Sequence, residues 1–286
     1  MLKWRLPVGA ALIALLGGLL WLDGRLQGEP AAWAPDGCLP GGAVLAGFSL
    51  LTLVPLLAVE LTRLLRAGGV RAWPIGASGA LAASAFMAVV AHAWDMERLA
   101  VAAAVLPLAW LLLPLLQLVR GHADRAVASL GRWMLVAVWI GAMPACWIAL
   151  RAGVPWMGLV AAVLAVKSND MGAYFAGRLL GRHRMAPWIS PKKTWEGFMV
   201  GVVASVGVGA WAGTMCGAGL PSGMAFGVVA SVLGPLGDLS ESILKRQAEA
   251  KDSGRLLPGM GGMFDVMDSL LWTAPAAWWL LGARSA

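Results

Sequence analysis

The sequence predicts an all-α, polytopic transmembrane protein with about nine spans and a cytosol-facing polar cavity in its C-terminal half. Three observations predict the membrane helices, and the charged clusters described below, with the resemblance they carry, imply the cavity. Hydrophobic residues make up 59% of the 286 and charged residues only 13%, with a mean hydropathy of +0.75. Soluble domains are less apolar and about twice as charged. Long uncharged runs recur along the chain, each close to the length that crosses a ~30 Å hydrocarbon core as helix. The basic residues also alternate in a way that a membrane explains.

The elements follow in order. Leu6–Leu22 comes after Lys3 and Arg5 and reads as an uncleaved signal-anchor, because no small-x-small cleavage site follows it at once. Uncharged runs then cover Gly41–Val59, Ala72–Ala91, Leu99–Val119, Trp133–Leu150 and Phe198–Leu220. Shorter or charge-interrupted runs cover Gly153–Leu180, Gly223–Leu244 and Met263–Leu281. Nine spans of ~20 residues use most of the chain and leave no room for a sizeable soluble domain. With the N-terminus inside, seventeen of the 22 Lys and Arg residues face one side and four the other, with Lys167 inside a span. That bias is the positive-inside pattern and places the basic loops in the cytoplasm of a bacterial-type inner membrane. The basic loops carry no interleaved aromatics, so they read as topology and headgroup contacts and not as a nucleic-acid surface. Trp4, Trp21, Trp73, Trp94 and Trp133 lie near span ends and read as interfacial anchors. Cys38, Cys146 and Cys216 have no metal spacing.

The two halves differ. Residues 1–150 form N-terminal transmembrane helices with ionisable groups in loops or at span ends, Glu60 among them. Residues 151–286 admit polar groups into the spans and read as the catalytic region. Carboxylates at mid-span are costly unless paired, solvated or metal-bound, which makes each a functional candidate.

Four clusters stand out. In "KSNDMGAYFAGRLLG" (167–181), Lys167, Asn169 and Asp170 fall near mid-helix. Lys167 and Asp170 form either an i,i+3 ion pair or part of a site. In "ISPKKTWEG" (189–197), Ser190, Thr194 and Glu196 mark a turn into a helix. Lys192 and Lys193 are either topology residues or phosphate-binding point charges, with Ser190 or Thr194 as donors. In "GDLSESILKR" (237–246), Asp238, Glu241, Ser242 and Lys245 share one helix face, after a kink-prone Pro235. Two acids on that face suggest a hard cation such as Mg²⁺, with a solvated helix end as the alternative for Glu241. The stretch Lys245–Asp268 gathers eight charged residues around the glycine-rich "PGMGG" (258–262), ahead of Asp265 and Asp268 at i,i+3. Gly259, Gly261 and Gly262 let backbone N–H groups approach phosphate at a helix N-terminus. Together these clusters suit a polyphosphate site that performs phosphoryl or nucleotidyl transfer.

The order of these motifs resembles the phosphatidate cytidylyltransferases, or CDP-diacylglycerol synthases. The carriers are "NDMGAYFAGRLLGRHRMAPWISPKKTWEG" and "GDLSESILKRQAEAKDSGRLLPGMGGMFDVMD", about a third of the chain. Within the signature S-x-x-K-R-x4-K-D-x-G-x2-L-P-G-H-G-G-x-x-D-R-x-D, the sequence keeps Ser242, Lys245, Arg246, Lys251, Asp252, Gly254 and Leu257. It also keeps Pro258, Gly259, Gly261, Gly262, Asp265 and Asp268. The resemblance implies CTP and phosphatidic acid as substrates in phospholipid biosynthesis, with CDP-diacylglycerol and pyrophosphate as products. It implies Mg²⁺ and a second cation, with Asp238 and Asp265 as metal ligands. Asp238, Asp265, Lys245 and Asp268 are then the catalytic set. Asn169, Asp170, Ser190, Lys192, Lys193, Thr194, Glu196, Arg246, Lys251, Asp252 and the three loop glycines face substrate. Two positions depart: the family histidine is Met260 and the family arginine is Val266. A catalytically altered paralogue, a CTP-dependent lipid kinase, an ion-coupled transporter and a CTP- or lipid-binding scaffold stay open as alternatives, as does a homodimer.

Overall fold

The structure is a computed structural model and describes residues 2–67, 75–97, 99–101, 103–104, 119, 123–186 and 190–282. The expected span Leu99–Val119 falls mostly outside the described residues, as do Arg71, Trp73, Arg98, Arg120 and Arg284. The side chains of Trp4, Ser190 and Lys192 also fall outside them.

The described chain is mostly helical. Helix α1 (Leu2–Leu26) is followed by α2 (Ala43–Phe48), a π-helical turn (Ser49–Leu53) and α3 (Val54–Ala67), which form one rod. Then come α4 (Ile75–Ala93) and α5 (Ala123–Leu135), which runs through a π stretch (Val136–Ala142) into α6 (Met143–Gly153). The C-terminal half holds α7 (Trp156–Leu180), α8 (Trp195–Met215), α9 (Leu220–Gln247) and α10 (Phe264–Ala277). Among the described residues, Leu6–Leu26, Ala43–Ala67, Leu130–Gly153, Trp195–Met215 and Leu220–Gln247 are long and apolar enough to cross a membrane. Their large apolar side chains point outward in number, for example Leu6, Ile13, Leu51, Met199, Val203 and Val228. In water such a surface would aggregate, whereas against lipid it is ordinary.

One element breaks the all-helical expectation. Arg184–Ala186 (β1) and Ser190–Thr194 (β2) pair antiparallel, with Arg184 opposite Thr194. The hairpin ends where Thr194 caps α8 by accepting the Gly197 N–H at 3.2 Å. The stretch read as a turn into a helix is thus a hairpin followed by a capped helix.

Helices α8 and α9 cross at bare backbone. A methyl group on Gly209 would lie 2.6 Å from the Gly223 carbonyl, and one on Gly227 would lie 2.5 Å from the Ser205 carbonyl. Small residues allow this approach, which holds helices together where lipid weakens the hydrophobic drive. The core lies between α4, the α5–α6 rod, α7 and α10, around Phe86, Trp133, Ile140, Leu150, Phe264 and Leu271. Trp133 was expected at an interface, but it is 2% exposed. Its helix turns that face inward with Val136 and Ile140. Trp147 of α6 donates to the Leu270 carbonyl of α10 at 3.0 Å, so the two halves of the chain are bonded across the core.

The rod ends sort into two faces. At one face Arg151 of α6 pairs with Asp23 of α1 at 2.9 Å, both 1% exposed. Asp23 also accepts the N–H groups of Gly42 and Val44 at the start of α2. At the opposite face lie the hairpin, the start of α8, the end of α9 and the start of α10. This second face carries Lys193, Lys245, Arg246 and Lys251.

Candidate active site

Four elements meet at that second face. The middle of α7 contributes Lys167, Asn169 and Asp170, and the hairpin end contributes Lys193 and Thr194. The half of α9 beyond Pro235 contributes Asp238, and the first turns of α10 contribute Asp265, Asp268 and Ser269. All of these line one cavity of about 760 Å³. Gly237 explains why α9 and α10 come so close there. A methyl group on it would sit 2.5 Å from the Asp268 carbonyl and 2.9 Å from the Trp272 ring. Removing that side chain sets Asp238 beside Asp268.

The result is a concentration of negative charge. Asp238, Glu241 and Asp268 each present a carboxylate oxygen within 4.8 Å of the other two. Glu241 is fully enclosed, and one of its oxygens has no hydrogen-bond partner. The solvated-helix-end alternative for Glu241 is therefore not what the fold contains. Asp268 is 7% exposed and accepts the Ser269 N–H at 2.5 Å. Three carboxylates this close repel one another unless cations intervene. Two lysines do so in part. Lys193 Nζ lies 2.6 Å from Asp238 Oδ2 and donates to the Pro235 carbonyl at 3.2 Å. Lys245 Nζ bridges Glu241 at 2.9 Å and Asp265 at 2.7 Å.

Asp265 is held differently. Its Oδ1 takes Lys245, while its Oδ2 accepts the Ser253 N–H, the Ser253 hydroxyl and the Gly262 N–H, each at 2.8 Å. Gly261 makes that turn feasible. Its φ is +99°, and a methyl group there would meet Asp265 Oδ2 at 2.5 Å. The N–H groups of Met263 and Phe264 go to Glu60 of α3, at 3.0 and 2.8 Å. The loop N–H groups of Gly262, Met263 and Phe264 are therefore engaged by carboxylates of the protein itself.

Glu60 is the functional residue that sequence reasoning passed over. It is 4% exposed, caps the N-terminus of α10 and shares the single Ser253 hydroxyl proton with Asp265, at 3.1 Å from the Ser253 oxygen. It lies 204 residues from Phe264, and its position at the end of an apolar run reads as an ordinary span end.

The remaining candidates divide. Lys167 sits 3.6 Å from Asp170 as the i,i+3 spacing suggests, and Ser269 joins both. Asn169 is 1% exposed and lines the cavity, with its Oδ1 against Gly201. Glu196 lies outside the cavity lining. It accepts the backbone N–H groups of Arg182 and His183 and meets the His183 ring at 2.6 Å, which fastens the hairpin base. Arg246, Lys251 and Asp252 are exposed on the same face, outside the cavity lining. Met260 and Val266 both line it.

A family model described as "Cytidylyltransferase family" matches residues 38–283. The chain belongs to this family. The match takes in every cavity-lining residue and Glu60 as well. Among curated relatives, a phosphatidate cytidylyltransferase of Mycobacterium bovis is 34% identical over 251 residues, which cover 82% of this chain and 72% of that protein. One of Brucella suis is 46% identical over 121 residues, covering 41% of this chain and 44% of that protein. One of Bacillus subtilis is 40% identical over 126 residues, covering 43% and 47%.

The carboxylates of the cavity fit a divalent cation by their donor set. Hard oxygen donors, one of them buried and unbonded, match what Mg²⁺ takes. Asp238, Glu241 and Asp268 satisfy that requirement. Asp265, expected as a metal ligand, lines the same cavity and accepts four hydrogen bonds.

Proposed function

We propose that this member of the cytidylyltransferase family transfers the cytidylyl group of CTP to phosphatidic acid, giving CDP-diacylglycerol and pyrophosphate. The observation that carries the proposal is one cavity lined by Asp238, Asp268, Lys193 and Lys167 at the basic face of a helical membrane protein. A triphosphate and a lipid phosphate both need such a cavity, and the apolar outer faces of the helices leave the lipid chains in the bilayer.

In the reaction a phosphatidate oxygen attacks the α-phosphorus of CTP. A P–O bond forms as the bond to the β-phosphate oxygen breaks, and pyrophosphate departs. Asp238, Glu241 and Asp268 would hold Mg²⁺, which when bound neutralises phosphate charge and draws electrons from the reacting phosphorus. Lys193 keeps Asp238 oriented and offers its remaining proton to a phosphate oxygen. Lys245 links Glu241 to Asp265 and so fixes α9 against α10. Asp265 and Glu60 hold the glycine-rich loop and the first turn of α10. Arg246 and Lys251, exposed outside the cavity lining, add positive charge that attracts anionic substrates, and the sequence motif assigns the same task to Lys192, with Ser190 as a donor. The sequence further supports nine spans, a bacterial-type inner membrane and a cavity open to the cytoplasm. In that arrangement residues 1–150 act as a scaffold, Glu60 excepted, and residues 151–286 carry the reacting groups.

The position of a radiolabel tests the proposal. With α-labelled CTP, Mg²⁺ and phosphatidate, label enters the lipid. With γ-labelled CTP it leaves as pyrophosphate. Label from the γ-position in the lipid would show a kinase, and turnover without lipid labelling would show neither.

A further inference from the structure

We infer that Lys167 of α7 is an anion-binding residue of this cavity and that it supplies the cation which the family signature places at position 266. The inference deepens the proposed function and rests on it. Position 266 is Val here, and it lines the same cavity as Lys167. Lys167 reaches across from α7 to α10. Its Nζ donates to the Val266 carbonyl at 3.1 Å and to the Ser269 hydroxyl at 3.0 Å. An arginine on residue 266 would project into the space that the Lys167 ammonium already serves.

The local geometry supports a binding role over a purely structural one. Among the described residues the cavity wall carries two ammonium groups, Lys167 and Lys193. Lys193 is drawn to Asp238 at 2.6 Å. The carboxylate paired with Lys167 is Asp170, at 3.6 Å, while its two hydrogen-bond partners are neutral. Asp268 also acts on the Lys167 charge from the same wall, yet among the described residues no carboxylate lies within hydrogen-bond distance of the ammonium, and the Lys167 side chain is 32% exposed within the cavity. An ammonium with two neutral hydrogen-bond partners keeps a third proton for a phosphate oxygen, where one held in a short ion pair must first give that pair up. Val266 and Lys167 then form one exchange: the cation has moved from α10 to α7 and still addresses the same space.

The test is a double-mutant cycle in the full-length protein in detergent: wild type, Lys167→Met, Val266→Arg and the double variant. Turnover is measured with CTP and dioctanoyl phosphatidate, and equilibrium binding of each is measured separately. Losing a charge-assisted contact lowers kcat/KM, and the affinity for at least one substrate, by about ten- to hundredfold in Lys167→Met. Lys167→Arg retains most of the activity. Val266→Arg alone lowers turnover, because it crowds two cations together. In the Lys167→Met background it raises turnover at least fivefold, roughly. Turnover and binding within about twofold of wild type in Lys167→Met would overturn the inference. So would an equal gain from Val266→Arg in both backgrounds. If Lys167→Met fails to fold, Val266→Arg alone decides, and a rise in turnover contradicts the exchange. If wild type binds CTP but never turns over, the proposed reaction fails. Unchanged binding of both substrates by Lys167→Met would then separately overturn the role of Lys167.

Discussion

A carboxylate sealed from solvent with one oxygen unbonded costs several kcal/mol unless a cation or proton compensates it. Glu241 is in that position, fully enclosed and only half satisfied by Lys245. Its presence beside Asp238 and Asp268 makes sense as part of a cation site. Glu241→Gln should therefore keep the fold but raise the Mg²⁺ concentration for half-maximal turnover by about tenfold, read from a Mg²⁺ titration. Asp238→Asn and Asp268→Asn should each abolish turnover while protein level stays near wild type. Near-normal turnover in either would remove that residue from the site. Much of this was legible in the sequence. Helical spacing alone places Asp238, Glu241 and Lys245 on one face. The approach of Asp268 was not legible, because it depends on α10 crossing α9 at Gly237, a tertiary contact that no local period encodes. The hydrogen-bond partners of Asp265 and Glu196 were also hidden. Both are acids in motif positions, yet four hydrogen bonds hold the first, and the second ties down the hairpin base outside the cavity.

At the scale of elements, the start of α10 is the critical joint. A helix N-terminus leaves N–H groups unpaired, and burying them demands acceptors. Glu60 supplies these acceptors from α3 to Met263 and Phe264, and it also holds Ser253, which in turn holds Asp265. Glu60→Ala should lower the thermal midpoint in detergent, consistent with losing a cap worth about 0.5–2 kcal/mol. It should also cut kcat more than KM, since the first turn of α10 presents Asp265 and Asp268. Glu60→Gln, which keeps one acceptor oxygen, should fall between. Equal kcat in all three proteins would show that the cap does not position the site. The hairpin before α8 was missed for a different reason. Its strands are three and five residues long, too short for an alternating pattern to show.

At the scale of the molecule, the two faces have separate tasks. The basic face carries the cavity, and the opposite face is tied by the buried Asp23–Arg151 pair. Removing one partner strands the other charge, so Asp23→Asn should destabilise the protein by about 3–5 kcal/mol, seen as a lower thermal midpoint. The pair sits at the end of the molecule away from the cavity, so the folded fraction should keep its KM for CTP. Hydropathy disclosed the helical membrane architecture and the basic bias because both follow from composition along the chain. It could not disclose that Trp133 turns inward, since inside and lipid are equally apolar surroundings. The central claim is that the cavity is a cation-dependent cytidylyl-transfer site. It is tested most directly by pyrophosphate release from CTP by purified wild-type protein and Asp268→Asn, with phosphatidate and Mg²⁺ each present or withheld. The account predicts release only from wild type with both supplied. Release that ignores phosphatidate, or that persists in Asp268→Asn, would contradict it.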